Sequence, residues 1–341
     1  MMKVNCIFLF LFLNSCFVFS QMNIEGRVTN NNREPLFGAS VYIDGTTLGT
    51  VTDEKGYFKL TLPAAINSVL VVSYFGYRTS YQSISTTQPL QILLSEEIKE
   101  LKEVVVQKNQ FTRAEMLKLF KEQFLGTNKA GSQCIIENED ELYFDYDKEK
   151  LVFKAYSDKP LQIKNAYLNY QIQFQLVDFE CVFYKLSIKS TDLINSLYAG
   201  TSFFTEISKD TKYIKRRKKS YEGSSLQFFR NLIANQWGKD DFLLFDGSFM
   251  TSPMEHFKID KNEKTELYTI TVTKQKKRSN TNFIAEFNIL YNKKEQSKIS
   301  FYTNTFYVDH FGLFSDYDKI YFSGDITARK IGDLLPSNYG L

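Results

Sequence analysis

Apolar and polar positions alternate in short runs from Ile24 to Leu94, and turn residues interrupt them about every ten positions. Ile24-Glu25-Gly26-Arg27-Val28 reads as a half-buried strand, and Asn30 to Asn32 with Pro35 form a turn cluster. Ala39 to Ile43 makes a second strand. Asp44-Gly45-Thr46-Thr47 supplies a D-G turn, and Leu48 to Val51 returns as the partner strand. Asp53 to Gly56 turns again into Tyr57 to Leu62. Val69 to Tyr74, Tyr77 to Ile84 and Leu90 to Leu94 complete about seven strands. Such spacing predicts a β-sandwich with a small core of its own, not βαβ units.

The pattern changes after a charged connector at 96–110. Thr112 to Phe124 has helical periodicity, with Met116, Leu117, Leu119, Phe120 and Phe124 as an apolar stripe. Thr112 and Glu115 fit a capping box, and Gly126 a helix stop. Strands return at Leu142 to Tyr146, Leu151 to Tyr156, Leu168 to Val177 and Cys181 to Ile188. The run Tyr170 to Leu176 alternates so cleanly that one face is predicted buried and the other carries Gln171, Gln173 and Gln175. Gly223 to Trp237 is a second helix candidate, striped by Leu226, Phe229, Leu232, Ile233 and Trp237. Strands follow at Tyr268 to Thr273, Phe283 to Tyr291, Ile299 to Val308 and Lys319 to Ser323, and Ile331 to Leu335 is one helical turn. The expected architecture is therefore mainly β: a sandwich over 21–95, the connector, and one β-rich domain with about two helices over 111–341.

Several spaced motifs in the first region resemble a known family. Gly26-Arg27-Val28, Gly38-Ala39-Ser40-Val41, Gly45-Thr46, Gly49-Thr50, Thr52-Asp53 with Gly56-Tyr57-Phe58, and Tyr74-Phe75-Gly76-Tyr77 occur in the order seen in the carboxypeptidase-regulatory-like domain. The resemblance implies a prealbumin-like sandwich of the kind found at the N-termini of exported Bacteroidota proteins. Leu101 to Val106 is similar to the strand that follows this domain in outer-membrane TonB-dependent receptors. Five later segments, Leu119 to Gly126, Ile136 to Asn138, Pro160 to Asn165, Tyr221 to Ser224 and Leu334 to Tyr339, resemble pieces of exported Bacteroidota proteins that carry an uncharacterised region behind the same domain. Asn169 stands where those relatives lead us to expect Gly, and Asn tolerates the left-handed backbone such a turn needs. The resemblance implies no activity.

The aromatic content of 16%, from 31 Phe, 21 Tyr and one Trp in 341 residues, adds to the β tendency. A formal net charge of +3 does not by itself call for a polyanionic partner. Residues 1–20 place Lys3 ahead of an apolar run, Ile7 to Leu13, and small residues near Ser20, as a secretory signal peptide does. An alternative is lipoprotein processing at Leu13-Asn14-Ser15-Cys16, with Cys16 acylated. No later stretch has the length of a membrane-spanning helix. The expected location is the periplasm or the periphery of the outer membrane. There, Cys134 and Cys181 could form a disulfide or remain two separately buried thiols.

Candidate chemistry is sparse. A catalytic zinc site needs about three protein ligands, whereas the chain has two histidines, His256 and His310, in neither an H-E-x-x-H nor an H-x-x-E setting. Gly223-Ser224-Ser225 and Gly247-Ser248-Phe249 lack the trailing Gly of a nucleophile elbow, and no phosphate-binding glycine motif occurs. The acidic groups Asp240-Asp241 and Glu139-Asp140-Glu141 read as solvated turns. The strongest charge feature is Lys212, Lys215, Arg216, Arg217, Lys218 and Lys219, which suits an anionic envelope surface or an exposed loop or strand edge. Lys274 to Arg278 has the same ambiguity. These readings call for no cofactor, metal, catalytic residue or nucleic-acid partner. They favour a non-enzymatic envelope binding or assembly protein whose partner is an envelope protein or glycan. A hydrolase of envelope glycans or peptides and a TonB-linked transport component are the alternatives.

Overall fold

Seven strands build the head. In the computed structural model, which describes residues 22–62, 68–84, 89–97, 110–263, 267–273 and 283–341, β1 (Met22–Asn30) is central to a three-stranded sheet. It runs antiparallel to β4 (Tyr57–Leu62) and parallel to β7 (Leu90–Leu94). β2 (Ser40–Ile43), β3 (Gly49–Val51), β5 (Val69–Ser73) and β6 (Ser80–Ser83) form the second sheet in the order β3-β2-β5-β6. The strict alternation of β4, in which Phe58, Leu60 and Leu62 are buried and Tyr57, Lys59 and Thr61 exposed, turns one face inward as a sandwich requires. Ile24, Val28, Phe58, Leu60 and Ile92 meet Val41, Ile43, Leu70 and Val72 across the gap.

Helix α1 (Arg113–Phe124) starts at the predicted capping box: Thr112 accepts from the Glu115 N–H, and the Glu115 carboxylate accepts from the Thr112 N–H. Its buried residues Met116, Leu119, Phe120 and Phe124 lie on a six-stranded sheet. Leu117 is only partly covered. That sheet comprises β8 (Cys134–Ile136), β9 (Leu142–Asp147), β10 (Val152–Ser157), β11 (Leu161–Asn165), β12 (Tyr170–Phe183) and β13 (Leu193–Glu206). Where the sequence pattern suggests two strands, β12 is a single strand of 14 residues, bent by a bulge between Leu176 and Asp178. The bulge reconciles two alternating runs that are out of phase. β11 and β10 pair with successive halves of one edge of β12, and β13 pairs along the other.

The chain continues through α2 (Thr211–Tyr221), α3 (Ser225–Ala234), β14 (Phe242–Asp246), β15 (Phe249–Thr251), α4 (Pro253–His256), β16 (Phe257–Asn262), β17 (Leu267–Val272), β18 (Ala285–Tyr291), β19 (Glu295–Phe301), β20 (Thr305–Val308) and β21 (Ile320–Gly324). A five-stranded sheet, β15-β14-β18-β19-β21, and a three-stranded one, β16-β17-β20, enclose a second apolar cluster that includes Phe228, Phe229 and Leu232 of α3. Most buried apolar side chains of 110–341 thus fall into two clusters, Phe311 being an exception. The predicted strand Ile299 to Val308 divides at residues 302–304 into β19 and β20, which belong to different sheets. Helix α3 ends before Trp237 because Asn235 takes φ 52° and closes the last turn. The expectation of about two helices omitted α2: its row of cations hides the helical period from a reading based on apolar spacing. The signal region 1–20 with Cys16, Leu101 to Val106 and Lys274 to Arg278 lie outside the described residues.

Asn169 adopts φ 60° between β11 and β12, the left-handed turn its side chain was expected to tolerate. Asn169→Gly should leave stability within about 0.5 kcal/mol of the wild type, whereas a β-branched Asn169→Val should cost on the order of 1–3 kcal/mol. Urea denaturation of the three proteins checks both values.

Candidate functional site

The head is set on the body by its own hairpin turn. Gly45 donates to Ser202 O at 2.7 Å, Phe204 donates to Thr46 O at 3.0 Å, and Thr46 pairs with Phe203 as a short parallel bridge. The Asp44 carboxylate receives the Ser202 N–H at 2.7 Å. On the other side of the turn, Ser337 donates to Gly45 O at 2.6 Å. The Asn338 side chain accepts from the Thr47 N–H and donates to the Thr47 hydroxyl at 2.9 Å. Tyr42, pointing away from the head core, meets the Phe203 ring at 5.1 Å and is 5% exposed. Val71, its neighbour in the sheet, is fully covered as well. Gly49 lies so close that a Cβ there would stand 2.7 Å from the Phe203 ring, so only glycine fits.

A second contact crosses the boundary. The turn Asp309–Leu313 carries Phe311, which is fully buried in the head core beside residues more than two hundred positions away. Asp309 accepts from the Leu313 N–H at 2.9 Å. Arg230, from α3, donates to the carbonyls of Phe311 at 2.9 Å, Tyr339 at 2.8 Å and Ser337 at 2.6 Å. One guanidinium thus joins the plug that enters the head to the segment that holds the head's turn. Burial pushes the carboxyls of Asp44 and Asp309 up to about 6, against the opposing effect of their N–H donors and, for Asp309, of the Arg230 charge. Burial, with a smaller contribution from the Asp44 charge, likewise pushes the Tyr42 phenol up to about 12 and raises that of Tyr81.

The six basic candidates do not share one fate. They lie on α2, not on a loop or strand edge. Lys212, Lys215, Lys218 and Lys219 are exposed, with Lys218 3.8 Å from Glu222. Arg216 is half-buried, stacks 4.8 Å from the Tyr167 ring and donates to Tyr167 O. Arg217 cannot reach an outside surface, because its side chain is 3% exposed and fully engaged. It pairs with Glu206, donates to the carbonyls of Leu168, Asn169 and Ser208, and lies 4.1 Å over the Tyr170 ring. A buried cation held by a carboxylate and three carbonyls anchors the helix. The four lysines are left facing out.

Cys134 and Cys181 are both free thiols, and burial raises each to about 12, so neither is poised to react. His256 lies 2.8 Å from the Thr251 hydroxyl and against the Phe287 ring, while His310 stands beside Phe311 on the turn. Among the described residues no three His, Cys, Asp or Glu side chains group as metal ligands would. Asp241 accepts from Gln227 and Asn231, and Glu139 and Glu141 pair with Lys121 and Lys159, so these carboxylates are structural contacts.

A cleft of about 540 Å³ opens on the side of the head turned away from the body, lined by Glu25, Val51, Tyr57, Phe58, Lys59 and Gln91. The three-stranded sheet presents Tyr57 in this cleft and Leu93 on the same outer face, 50% and 56% exposed. Sequence reasoning missed Arg230, Asp309, Phe311 and β13. The D-G turn and the Leu334 to Tyr339 resemblance were the available signals, and both map to the junction.

Comparison with known proteins identifies the head. Residues 24–106 match the family model described as the CarboxypepD_reg-like domain, and the head of this protein is such a domain. The chain is similar to the TonB-dependent receptor SusC of Bacteroides thetaiotaomicron, 36% identical over 86 residues, which cover 25% of this chain and 8% of the receptor. A TonB-dependent receptor of Formosa agariphila is 35% identical over 114 residues, 30% of this chain and 11% of the receptor. The chain therefore spans about a tenth of the length of the curated relatives it matches. Among solved structures, a chain of the type II cohesin–X-dockerin complex of Acetivibrio cellulolyticus overlaps 22% of this chain and 58% of its own, at 24% identity and a TM-score of 0.20, too low to carry an argument.

Removing the plug with Phe311→Ala should cost about 3–5 kcal/mol and separate head and body transitions in a calorimetric scan. The raised carboxyls work in the opposite sense to a salt bridge. Their stabilisation is present below the ordinary Asp range and is lost as pH rises through about 6. Asp44→Asn should therefore raise the melting temperature most at pH 7.5, by less at pH 5, and hardly at all below about 3.8, and an equal shift across that range would refute this assignment.

Proposed function

We propose that the protein is a non-enzymatic binding or assembly component of the cell envelope, with the head as interaction module and α2 as contact to an anionic surface. The observation that carries this reading is the head itself. It is a CarboxypepD_reg-like sandwich shared with TonB-dependent receptors, docked through its four-stranded sheet so that its three-stranded sheet and cleft face outward. A module fixed at this angle presents Tyr57, Lys59, Gln91 and Leu93 as one preformed surface, which lowers the entropy cost of binding an envelope protein or glycan. The sheets of the described residues do not close into a barrel, and the receptor likeness is shared through the head. No described helix is long and apolar enough to cross a membrane. Attachment through lysines accordingly suits a protein held at the periphery of the outer membrane from the periplasm.

Cross-linking in envelope fractions tests the head: a discrete partner band should form and should be lost in Tyr57→Ala/Leu93→Asp. Recovery of uncross-linked protein alone, or turnover of an envelope glycan or peptide, would overturn the reading. For α2, Lys212→Gln/Lys215→Gln/Lys219→Gln should weaken co-sedimentation with anionic vesicles on the order of a hundredfold at low salt, at about 1 kcal/mol per lysine. Zwitterionic vesicles should bind neither protein.

A further inference from the structure

The six-stranded sheet ends in an edge that the fold leaves half used. β13 pairs with β12 from Asn195 to Glu206, with Leu193 rejoining beyond a register shift that leaves Ile194 unpaired, and on its outer edge the head occupies only Ser202 to Phe204, through Gly45 and Thr46. From Leu193 to Thr201 that edge has no pairing strand among the described residues. The outward backbone groups there follow from the contacts made by the head. Ser202 and Phe204 direct theirs away from β12, so by strand alternation Gly200, Tyr198 and Ser196 do the same.

Open edges are usually protected by lysine, proline or a covering loop. The stretch Leu193 to Thr205 contains no charged residue and no proline, and Leu197 is 45% exposed. The open stretch also has a natural centre. Its regular part runs from Asn195, past the irregularity at Ile194, to the head, and Leu197 is the exposed apolar residue within it.

We infer that this edge joins a second copy of the chain, β13 against β13, antiparallel about a two-fold axis through Leu197. In that register Ser196 faces Tyr198 of the other copy. The outward N–H and C=O groups then lie opposite outward groups, as an antiparallel ladder demands. Asn195 falls opposite Ala199, so the pairing lies between the irregularity at Ile194 and the head's own pairing, and the two interfaces follow one another along one edge. The two Leu197 side chains meet in a close, non-hydrogen-bonded pair, and an uncharged strand brings no like charges together. The result is one twelve-stranded sheet with a head at each side of the axis. A neutral, self-complementary strand fits a second copy better than a charged peptide of another protein. The interface is isologous, so it closes at the dimer.

The test uses the purified full chain. Sedimentation velocity should show a concentration-dependent dimer that becomes monomeric in Leu197→Lys and in Leu197→Glu, because each places like charges opposite one another. Mixing the two variants should restore the dimer, which misfolded proteins would not do. Under mild oxidation Leu197→Cys should cross-link to itself, whereas Asn195→Cys and Ala199→Cys should cross-link only when mixed, since residue 195 of one copy faces 199 of the other. A wild-type protein that stays monomeric at all concentrations overturns the inference. So does a dimer unaffected by both Leu197 charge variants, or one whose cysteine pairs follow another register.

Discussion

Three carbonyl oxygens around the Arg230 guanidinium hold the architecture in its observed arrangement. A charged donor bound to three backbone acceptors is both strong and directional, because the planar fork fixes where each carbonyl must lie. Two of those carbonyls belong to the last few residues of the chain and one to the turn that drives Phe311 into the head. The head is therefore gripped by residues of the C-terminal half of the chain. This explains why the Ser337 N–H and the Asn338 side chain are in place to bind the Asp44–Thr47 turn.

The grip decides which faces remain free. The four-stranded sheet of the head is spent on Phe203 and its surroundings, while the three-stranded sheet keeps its outer residues in solvent. Arg217 does the equivalent for α2: its inward anchoring on Glu206 and the Asn169 turn leaves the lysines of the same helix pointing out. The outward faces of head and helix thus have a structural origin, and the functional reading rests on them more than on any single reactive group.

Much of the local structure was legible. The capping box at Thr112 and Glu115, the alternation of β4, and the D-G turn depend on contacts within a few residues, and each forms as its residues suggest. Asn169 was legible for the same reason, since Asn tolerates the left-handed backbone that the turn adopts. β13 was not: Leu193 to Glu206 includes Gly200 and Ala199, and Gly200 is required only because Phe174 and the Gln175 carbonyl lie against it. Helix α2 was hidden because its core-facing residue is an arginine. Cys134 and Cys181 posed a question that spacing could not answer; in the fold they stand as free thiols, Cys181 buried and Cys134 half-buried.

The sequence by itself determined the head's fold and kinship, the first helix and the buried face of β12, because those follow from periodicity and short-range turn chemistry. Only the tertiary structure decided that Phe311 completes a core begun near residue 24, that Arg230 ties two distant segments together, and that one edge of β13 has no pairing strand among the described residues. These depend on which residues meet after hundreds of intervening positions have folded, and no local pattern encodes such a meeting.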